Sequence, residues 1–157
     1  MTPLARLIAI EEIKQLKARY FRLMDTRDWD GMAEVFTRDV EFDASVAMQV
    51  SSLGGDARGL PGTIARGRDA LMAVIKGMLA EQTSFHHGHC HEIVIDSDTE
   101  AHGIIAFEDR LYGPDRRTPN IGGMGHYEER YRVEDGQWRI AYSRITRLFF
   151  DMHGGSG

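Results

Sequence analysis

The sequence predicts an α+β fold in which three N-terminal helices cover a cone-shaped, curved and mostly antiparallel sheet. Apolar residues recur at helical spacing in the first half of the chain, and four long strand-like runs follow in the second half. Long consecutive strands must curl, and a curled sheet closed by helices encloses a cavity. We find no internal repeat or linker, so we expect one domain over residues 1–151 and a disordered tail over residues 152–157.

The helices are predicted from capping residues and apolar stripes. Thr2 and Pro3 place a capping hydroxyl before a proline at the first helical position. The apolar stripe of this helix begins at Leu4, and its charged face includes Lys17. The three predicted helices cover residues 2–26, 29–36 and 68–81.

The strands are predicted from β-branched and aromatic runs bounded by turn residues. Asp135 and Gly136 are a tight-hairpin signal between the last two runs. The glycine-rich segment 51–67 predicts a loop at the cavity rim, which is a candidate lid. The predicted strands cover residues 40–44, 84–95, 100–112, 122–133 and 137–150.

Composition excludes several classes of partner. The chain has 19 basic and 24 acidic residues and no basic stripe, so we expect neither nucleic acid nor a membrane as a partner. The N-terminal apolar run is short and broken by Arg6, unlike a signal peptide or a membrane span. Cys90 is the only cysteine, so an internal disulfide is excluded. We therefore expect a cytoplasmic protein.

The segment Ser84–Glu92 concentrates the residues that could carry chemistry, because it holds four of the seven histidines and the cysteine. Side chains alternate between faces along a strand. That alternation separates His86 from three histidines that could bind zinc together, namely His87, His89 and His91. We find no clear fourth ligand and expect neither a metal nor a cofactor. A bulge near Gly88 would bring His89 to the same face as His86.

A buried histidine beside a carboxylate and a tyrosine favours general acid–base catalysis. The residues at suitable positions are Tyr20, Asp25, His86, Asp109 and Arg147. The four partners of His86 also have structural explanations. Tyr20 could be a core tyrosine, Asp25 a solvated residue at the helix end, and Asp109 with Arg147 a structural ion pair. Tyr20 and Asp25 lie about 140° apart around an ideal helix, so they reach one cavity only if the helix end points into it. No nucleophile elbow, phosphate-binding loop or dinucleotide fingerprint is present.

Several segments also resemble a known family. They are Ile13–Asp25 followed by Trp29 and Asp30, Phe85–His89, Glu92–Asp96 with Phe107–Asp109, and Gly122 and Gly123 with Tyr127, Asp135–Ile140 and Arg147. Together they are similar to SnoaL-like proteins of the nuclear transport factor 2-like superfamily, nearest to its bile-acid 7α-dehydratases and more distantly to scytalone dehydratase. Residues 45–67, which include the glycine-rich segment, do not align with that pattern.

The resemblance implies the cone-shaped fold and a cofactor-independent dehydratase acting on a hydroxylated, carbonyl-bearing steroid- or polyketide-like molecule. It implies catalytic roles for Tyr20, Asp25, His86, Asp109 and Arg147. His86 would be the base, oriented by Asp109, while Tyr20, supported by Asp25, would polarise an oxygen or protonate the departing hydroxyl. Arg147 would pair with Asp109 or anchor the substrate. The alternatives are a ketosteroid-type isomerase and a non-catalytic small-molecule binding module, and a homo-oligomer, a dimer or a trimer, is expected.

Overall fold

The computed structural model describes residues 1–50, 58–59, 62–115 and 119–152. Three helices accompany a curved, unclosed six-stranded sheet, so the predicted α+β cone is confirmed. The helices are α1 (Pro3–Thr26), α2 (Trp29–Ala33) and α3 (Arg68–Leu79). The strands are β1 (Phe36–Asp43), β2 (Gln49–Val50), β3 (Arg58–Gly59), β4 (Ile64–Arg66), β5 (Thr83–Ile95), β6 (Glu100–Tyr112), β7 (Pro119–Glu134) and β8 (Gln137–Met152).

The sheet is mixed but mostly antiparallel. Its strand order is β4-β1-β8-β7-β6-β5, with β2 and β3 forming a separate pair. Only the β1–β8 pairing within the sheet is parallel. The β7–β8 turn contains Asp135 and Gly136 at positive φ, as the hairpin signal predicted. Among the described residues, no helix is long and apolar enough to cross a membrane.

Helix α1 starts where the sequence predicts, because Thr2 Oγ1 accepts a hydrogen bond from the Ala5 amide at 3.1 Å. The predicted apolar stripe begins too early, however, since Leu4 is 68% exposed. The buried residues of α1 begin at Ala9 and lie on the face that carries Ile13. The first turns therefore carry apolar residues that the core does not cover.

Lys17 was predicted to lie on the charged face of α1, but this prediction is wrong because its side chain is fully buried. Its Nζ lies 2.6 Å from Glu129 Oε1 on β7. The ammonium group also lies 3.5 Å from the centre of the Tyr127 ring, in a cation–π contact. Burial lowers the pKa of Lys17 to about 8, although the carboxylate beside it acts in the opposite direction. Helical periodicity could not reveal this partner, which comes from the sheet.

The second helix is shorter than predicted. It ends at Ala33, and Phe36 begins β1 instead of closing the helix. Phe36 is fully buried and pairs with Ile140 on β8. The Ile140 amide also donates to the Val35 carbonyl at 2.9 Å, so backbone pairing with β8 replaces the last helical turn. The predicted strand 40–44 is thus the second half of a longer one.

Strand β5 contains a bulge, two residues after the predicted position. The register against β6 shifts between His89 and Glu92, and Cys90 has a φ of 43°. His86 faces the helices before the bulge, whereas the half-buried His91 does so after it. His89 stays on the face opposite His86, so the prediction that a bulge would bring the two together is wrong. The extra residue changes the alternation only beyond His89.

Two predicted irregular segments lie partly outside the described residues. The candidate lid includes residues 51–57 and 60–61, which are outside them, but its last part forms β4 against β1. The predicted tail includes residues 153–157, which are also outside, whereas Met152 is the last residue of β8. The third helix ends at Leu79, two residues before the predicted end.

Candidate active site

A cavity of about 150 Å³ lies between the sheet and helices α1 and α3. Most of its wall is apolar, including Met24, Phe42, Leu71 and Ile75. The polar side chains that line it include Tyr20, His86, Asp109, Tyr127 and Arg147. A larger groove of about 620 Å³ lies between α1 and the β7–β8 turn, but none of these five residues lines it. A concave, mostly apolar space with a few polar groups is the usual form of a small-molecule site.

His86 is held by Asp25, which lies in the last turn of α1. His86 Nδ1 is 2.6 Å from Asp25 Oδ1, and the His86 backbone amide donates to Asp25 Oδ2 at 2.9 Å. The Ser84 hydroxyl donates to Oδ1 at 2.8 Å. Burial acts to raise the pKa of Asp25, but these hydrogen bonds outweigh it and hold the pKa below its ordinary value. An ionised Asp25 fixes the proton of a neutral His86 on Nδ1 and leaves the Nε2 lone pair free.

The ring of His86 is positioned by packing as well. Phe21 stacks on it with ring centres 6.2 Å apart and planes 13° apart. Gly88, two residues along β5, makes room for this contact, because a Cβ there would lie 2.4 Å from the Phe21 ring. Helix α1 therefore supplies both the carboxylate and the aromatic wall that orient the imidazole.

Tyr20 and Tyr127 form a buried pair of phenols within the cavity wall. Their ring centres are 5.8 Å apart, and a hydrogen bond joins the two side chains. Burial raises the pKa of Tyr20 far above its ordinary value, and it does the same for Tyr127. Both phenols are therefore neutral at physiological pH and act as hydrogen-bond donors.

Asp109 and Arg147 form a buried two-bond ion pair across the sheet. Arg147 Nη1 and Nη2 each donate to one oxygen of Asp109 at 2.8 Å. Arg147 Nε also donates to the Ala47 carbonyl at 2.9 Å. Gly123 lies on β7 between them, and a Cβ there would be only 2.3 Å from Arg147 Nη1. The pair contributes shape and polarity to the cavity while its charges compensate each other.

All five residues predicted from the sequence lie at or beside this cavity, and Arg147 pairs with Asp109 as one predicted role stated, but the partner of His86 differs from the prediction. Asp109 was expected to orient His86, yet the structure records no hydrogen bond between their side chains among the described residues and pairs Asp109 with Arg147. Asp25 orients His86 instead of supporting Tyr20. The separation of about 140° between Tyr20 and Asp25 around α1 is compatible with this site. Tyr20 lines the cavity directly, whereas Asp25 contacts His86, which lines it.

Two contributors were missed as site residues, although both lie in segments that carried the family resemblance. Tyr127 is one, and period-two alternation along β7 with the buried Tyr131 could have placed it inward. Gly123 is the other. A glycine inside a predicted strand signals a close approach of another group, and here that group is the Arg147 guanidinium.

Known proteins with a similar sequence cover most of the chain. An uncharacterized protein of Mycobacterium tuberculosis is 26% identical over 146 residues, which span 90% of this chain and 86% of that protein. It carries no activity in its name, so it supports common ancestry without indicating a reaction.

Solved structures share the fold at lower identity. A candidate scytalone dehydratase from Novosphingobium aromaticivorans superposes with a TM-score of 0.77 at 17% identity, covering 99% of this chain and 95% of that one. Hexachlorocyclohexane dehydrochlorinase LinA-type3 from Novosphingobium barchaimii gives 0.73 at 16% identity, covering 99% and 97%. The family model for the SnoaL-like domain matches residues 5–144. The chain therefore belongs to the SnoaL-like domain family, as the segments noted in the sequence suggested.

Proposed function

We propose that the protein is a cofactor-independent dehydratase that removes water from a neutral, hydroxylated carbonyl compound by general acid–base catalysis. The observation that carries the proposal is the Asp25–His86 pair at the wall of a mostly apolar cavity. Two structural neighbours are named for a dehydratase and a dehydrochlorinase, and both names denote eliminations. Their similarity supports the fold, while the reaction is inferred from the residues of this chain.

His86 is the proposed base. Its Nε2 takes the proton from the carbon next to the substrate carbonyl, and the electrons of that C–H bond pass into an enolate. Asp25 stabilises the imidazolium that results, because its two oxygens already contact the ring and the backbone of His86. A positioned base of this kind contributes roughly 10²–10⁴-fold in rate.

Tyr20 is the proposed donor to the carbonyl oxygen. Its raised pKa keeps the phenol protonated, so it stabilises the enolate by hydrogen bonding without losing its proton. The enolate then forms the C=C bond as the C–O bond of the hydroxyl breaks. The imidazolium of His86 gives its proton to the departing oxygen, which leaves as water and returns His86 to the neutral state.

The charge and size of the cavity limit the substrate. The two side-chain oxygens of Asp109 accept bonds from Arg147, so this pair offers a polar surface without a net charge. That arrangement favours a neutral substrate over an acid or an amine. A cavity of about 150 Å³ is known to hold a benzene-sized molecule, and this cavity has that volume. A one-ring carbonyl compound therefore fits better than a four-ring steroid within the predicted range.

The experiment is a turnover assay on β-hydroxy ketones with one and two rings and on a four-ring 7α-hydroxy-3-oxo-Δ4 steroid, in which the conjugated double bond extends the activation by the carbonyl to the carbon beside the hydroxyl-bearing one. Loss of one water by mass spectrometry and the appearance of enone absorbance report dehydration. We expect turnover to be fastest with the one-ring compounds. His86→Ala and Tyr20→Phe should each lower the rate by roughly 10²–10⁴-fold.

The matched control is His102→Ala, which removes an exposed histidine on β6 that contacts Asp96. It should leave the rate unchanged. Undiminished turnover in both cavity variants would refute the proposed roles. A product of unchanged mass would identify an isomerase instead, and saturable binding without any product would identify a binding module.

A further inference from the structure

The outer face of the sheet carries a group of histidines that the proposed reaction does not use. His87 and His89 are exposed and lie two residues apart on β5, before the bulge. Glu108 on β6 is the direct cross-strand partner of His87. The three side chains lie on the opposite face of the strand from His86 because side chains alternate along β5 up to His89.

The donor atoms of these residues converge. His87 Nδ1 is 3.6 Å from Glu108 Oε1, and His89 Nε2 is 3.9 Å from the same oxygen. All three donor atoms lie within 4.8 Å of one another. In a tetrahedral zinc site with bonds of about 2.0–2.1 Å, neighbouring ligand atoms are about 3.3 Å apart. The two carboxylate distances exceed that spacing by about 0.3 and 0.6 Å, and rotation of the exposed His89 ring can close the third.

A simple histidine–carboxylate pair on the same sheet differs from this group. His102 Nδ1 lies 2.9 Å from Asp96, which is a direct hydrogen bond. The nitrogens of His87 and His89 instead lie farther than a hydrogen-bond distance from the oxygen they share, Glu108 Oε1. Within the described ranges, these two histidines are the only ion-pair partners of Glu108. These separations are too long for a shared proton, but they leave room for a metal ion between the two nitrogens and the carboxylate oxygen.

The neighbouring side chain supports the arrangement. The Phe85 ring packs against His87 with ring centres 4.1 Å apart, which restricts the orientation of that imidazole. Two imidazoles and one carboxylate suit zinc and its neighbours in the first transition series, whereas magnesium and calcium prefer oxygen ligands throughout. The geometry points to a divalent transition-metal site, selective for zinc over magnesium, formed by His87, His89 and Glu108 with water as the remaining ligand.

The test is calorimetric titration of the full-length, tag-free protein with zinc chloride, repeated with magnesium chloride. A parallel titration with cobalt(II) is followed by visible absorption, which reports the coordination geometry. We expect one zinc ion per chain, no binding of magnesium and intense tetrahedral cobalt bands. His89→Ala and Glu108→Gln should each weaken zinc binding by about tenfold or more, since each removes one of three protein ligands.

His102→Ala is the matched control, because it removes an exposed histidine outside the group, and it should bind zinc like the unaltered chain. His86→Ala should also retain the site, so the result does not depend on the proposed dehydratase reaction. Circular dichroism checks that each variant is folded. The absence of stoichiometric zinc binding would overturn the proposal, as would zinc affinities of His89→Ala and Glu108→Gln equal to that of the unaltered chain, or loss of binding in His86→Ala.

Discussion

Asp25 shows how single residues acquire their roles in this protein. From sequence, its position near the end of α1 was compatible with a solvated carboxylate as well as with a catalytic one. In the structure it accepts hydrogen bonds from the His86 amide, the His86 ring and the Ser84 hydroxyl. The residue types at the site were predictable, and so was the pair of Asp109 and Arg147, but the contact of Asp25 with His86 was not, because it depends on where β5 meets the end of the helix.

The depressed pKa of Asp25 predicts a pH-dependent stability difference. A carboxylate whose folded-state pKa lies below its ordinary value stabilises the fold above about pH 4, and this contribution is lost as pH falls through the folded-state pKa. Asp25→Asn should therefore be less stable than the unaltered chain at pH 6, and the gap should close below pH 4. Urea unfolding at several pH values measures it.

The control for this series is Asp30→Asn, an exposed change on α2. It should leave the free energy of unfolding within about 0.5 kcal/mol of the unaltered chain. A gap between Asp25→Asn and the unaltered chain that stays constant from pH 3 to pH 7 would show that ionisation of Asp25 is not the cause.

Gly123 gives a second prediction with a control beside it. A Cβ at this position would lie 2.3 Å from Arg147 Nη1 and 2.9 Å from Asp109 Oδ1, whereas a Cβ at Gly122 would meet nothing within 4 Å. Gly123→Ala should destabilise the fold by about 1–3 kcal/mol through this overpacking. Gly122→Ala should change stability by no more than about 0.5 kcal/mol. Equal unfolding midpoints for the two variants in urea would contradict the proposed contact.

The helices and strands were largely predictable, and the errors have identifiable causes. Capping residues located the start of α1, and turn residues located the β7–β8 hairpin. The end of α2 was misplaced because Phe36 fits both a helical stripe and a strand, and pairing with β8 decides between them. The bulge at Cys90 could not be placed either, since this residue carries no glycine-like signal for positive φ.

Lys17 and Glu129 join α1 to β7 through a buried contact. Removing Lys17 alone should lower the free energy of unfolding strongly, and removing both charges should lower it less. Glu129 is buried and also accepts a hydrogen bond from Tyr131 at 2.7 Å. Lys17→Met leaves that carboxylate buried without its cation and should cost about 3–5 kcal/mol. The double change Lys17→Met with Glu129→Gln should restore part of this loss, because no buried charge remains.

Denaturant unfolding measures both variants, and Arg19→Met, an exposed change on α1, is the control. The pKa of Lys17 falls from 10.5 to about 8 on folding, so the folded state binds fewer protons between these values. The stability of the unaltered chain relative to Lys17→Met should therefore rise as pH increases from 8 to 10. A single variant as stable as the double one would contradict the buried ion pair, and a gap that narrows over this range would contradict the lowered pKa of Lys17.

At the scale of the whole molecule, the general architecture followed from the order of helices and strands. The cavity did as well, because long antiparallel strands curl and the helices precede them. Its volume did not follow, since it depends on how closely side chains such as Phe42 and Leu71 approach one another. Sequence periodicity assigns residues to faces but does not measure the space between layers.

The outer face of the sheet supports the predicted homo-oligomer. Among the described residues, this face exposes Phe85, Ile104 and Met124, one on each of three adjacent strands, by 42–50% of their surface. Exposed apolar surface of this kind commonly marks an interface. We expect the chain to associate with itself through this face. Met124→Glu should then lower the mass measured by light scattering after size-exclusion chromatography.

The measurement includes EDTA, because Glu108 is the cross-strand neighbour of Met124 and a bound ion could alter association. Leu4→Glu is the control, since it places the same charge on an exposed apolar residue of α1. A monomeric unaltered chain, or equal masses for the two variants, would contradict association through the sheet.

The attachment of the His86 ring to the end of α1 has a consequence for how activity responds to heat. Helix ends fray before the rest of a protein unfolds, and Asp25 lies one residue before the end of this helix. Opening of that last turn would release the imidazole while the sheet and its core stay intact. The proposed dehydratase activity should then decrease reversibly at temperatures below the melting transition, and the His86 amide should exchange with solvent deuterium sooner than its neighbours in the strand.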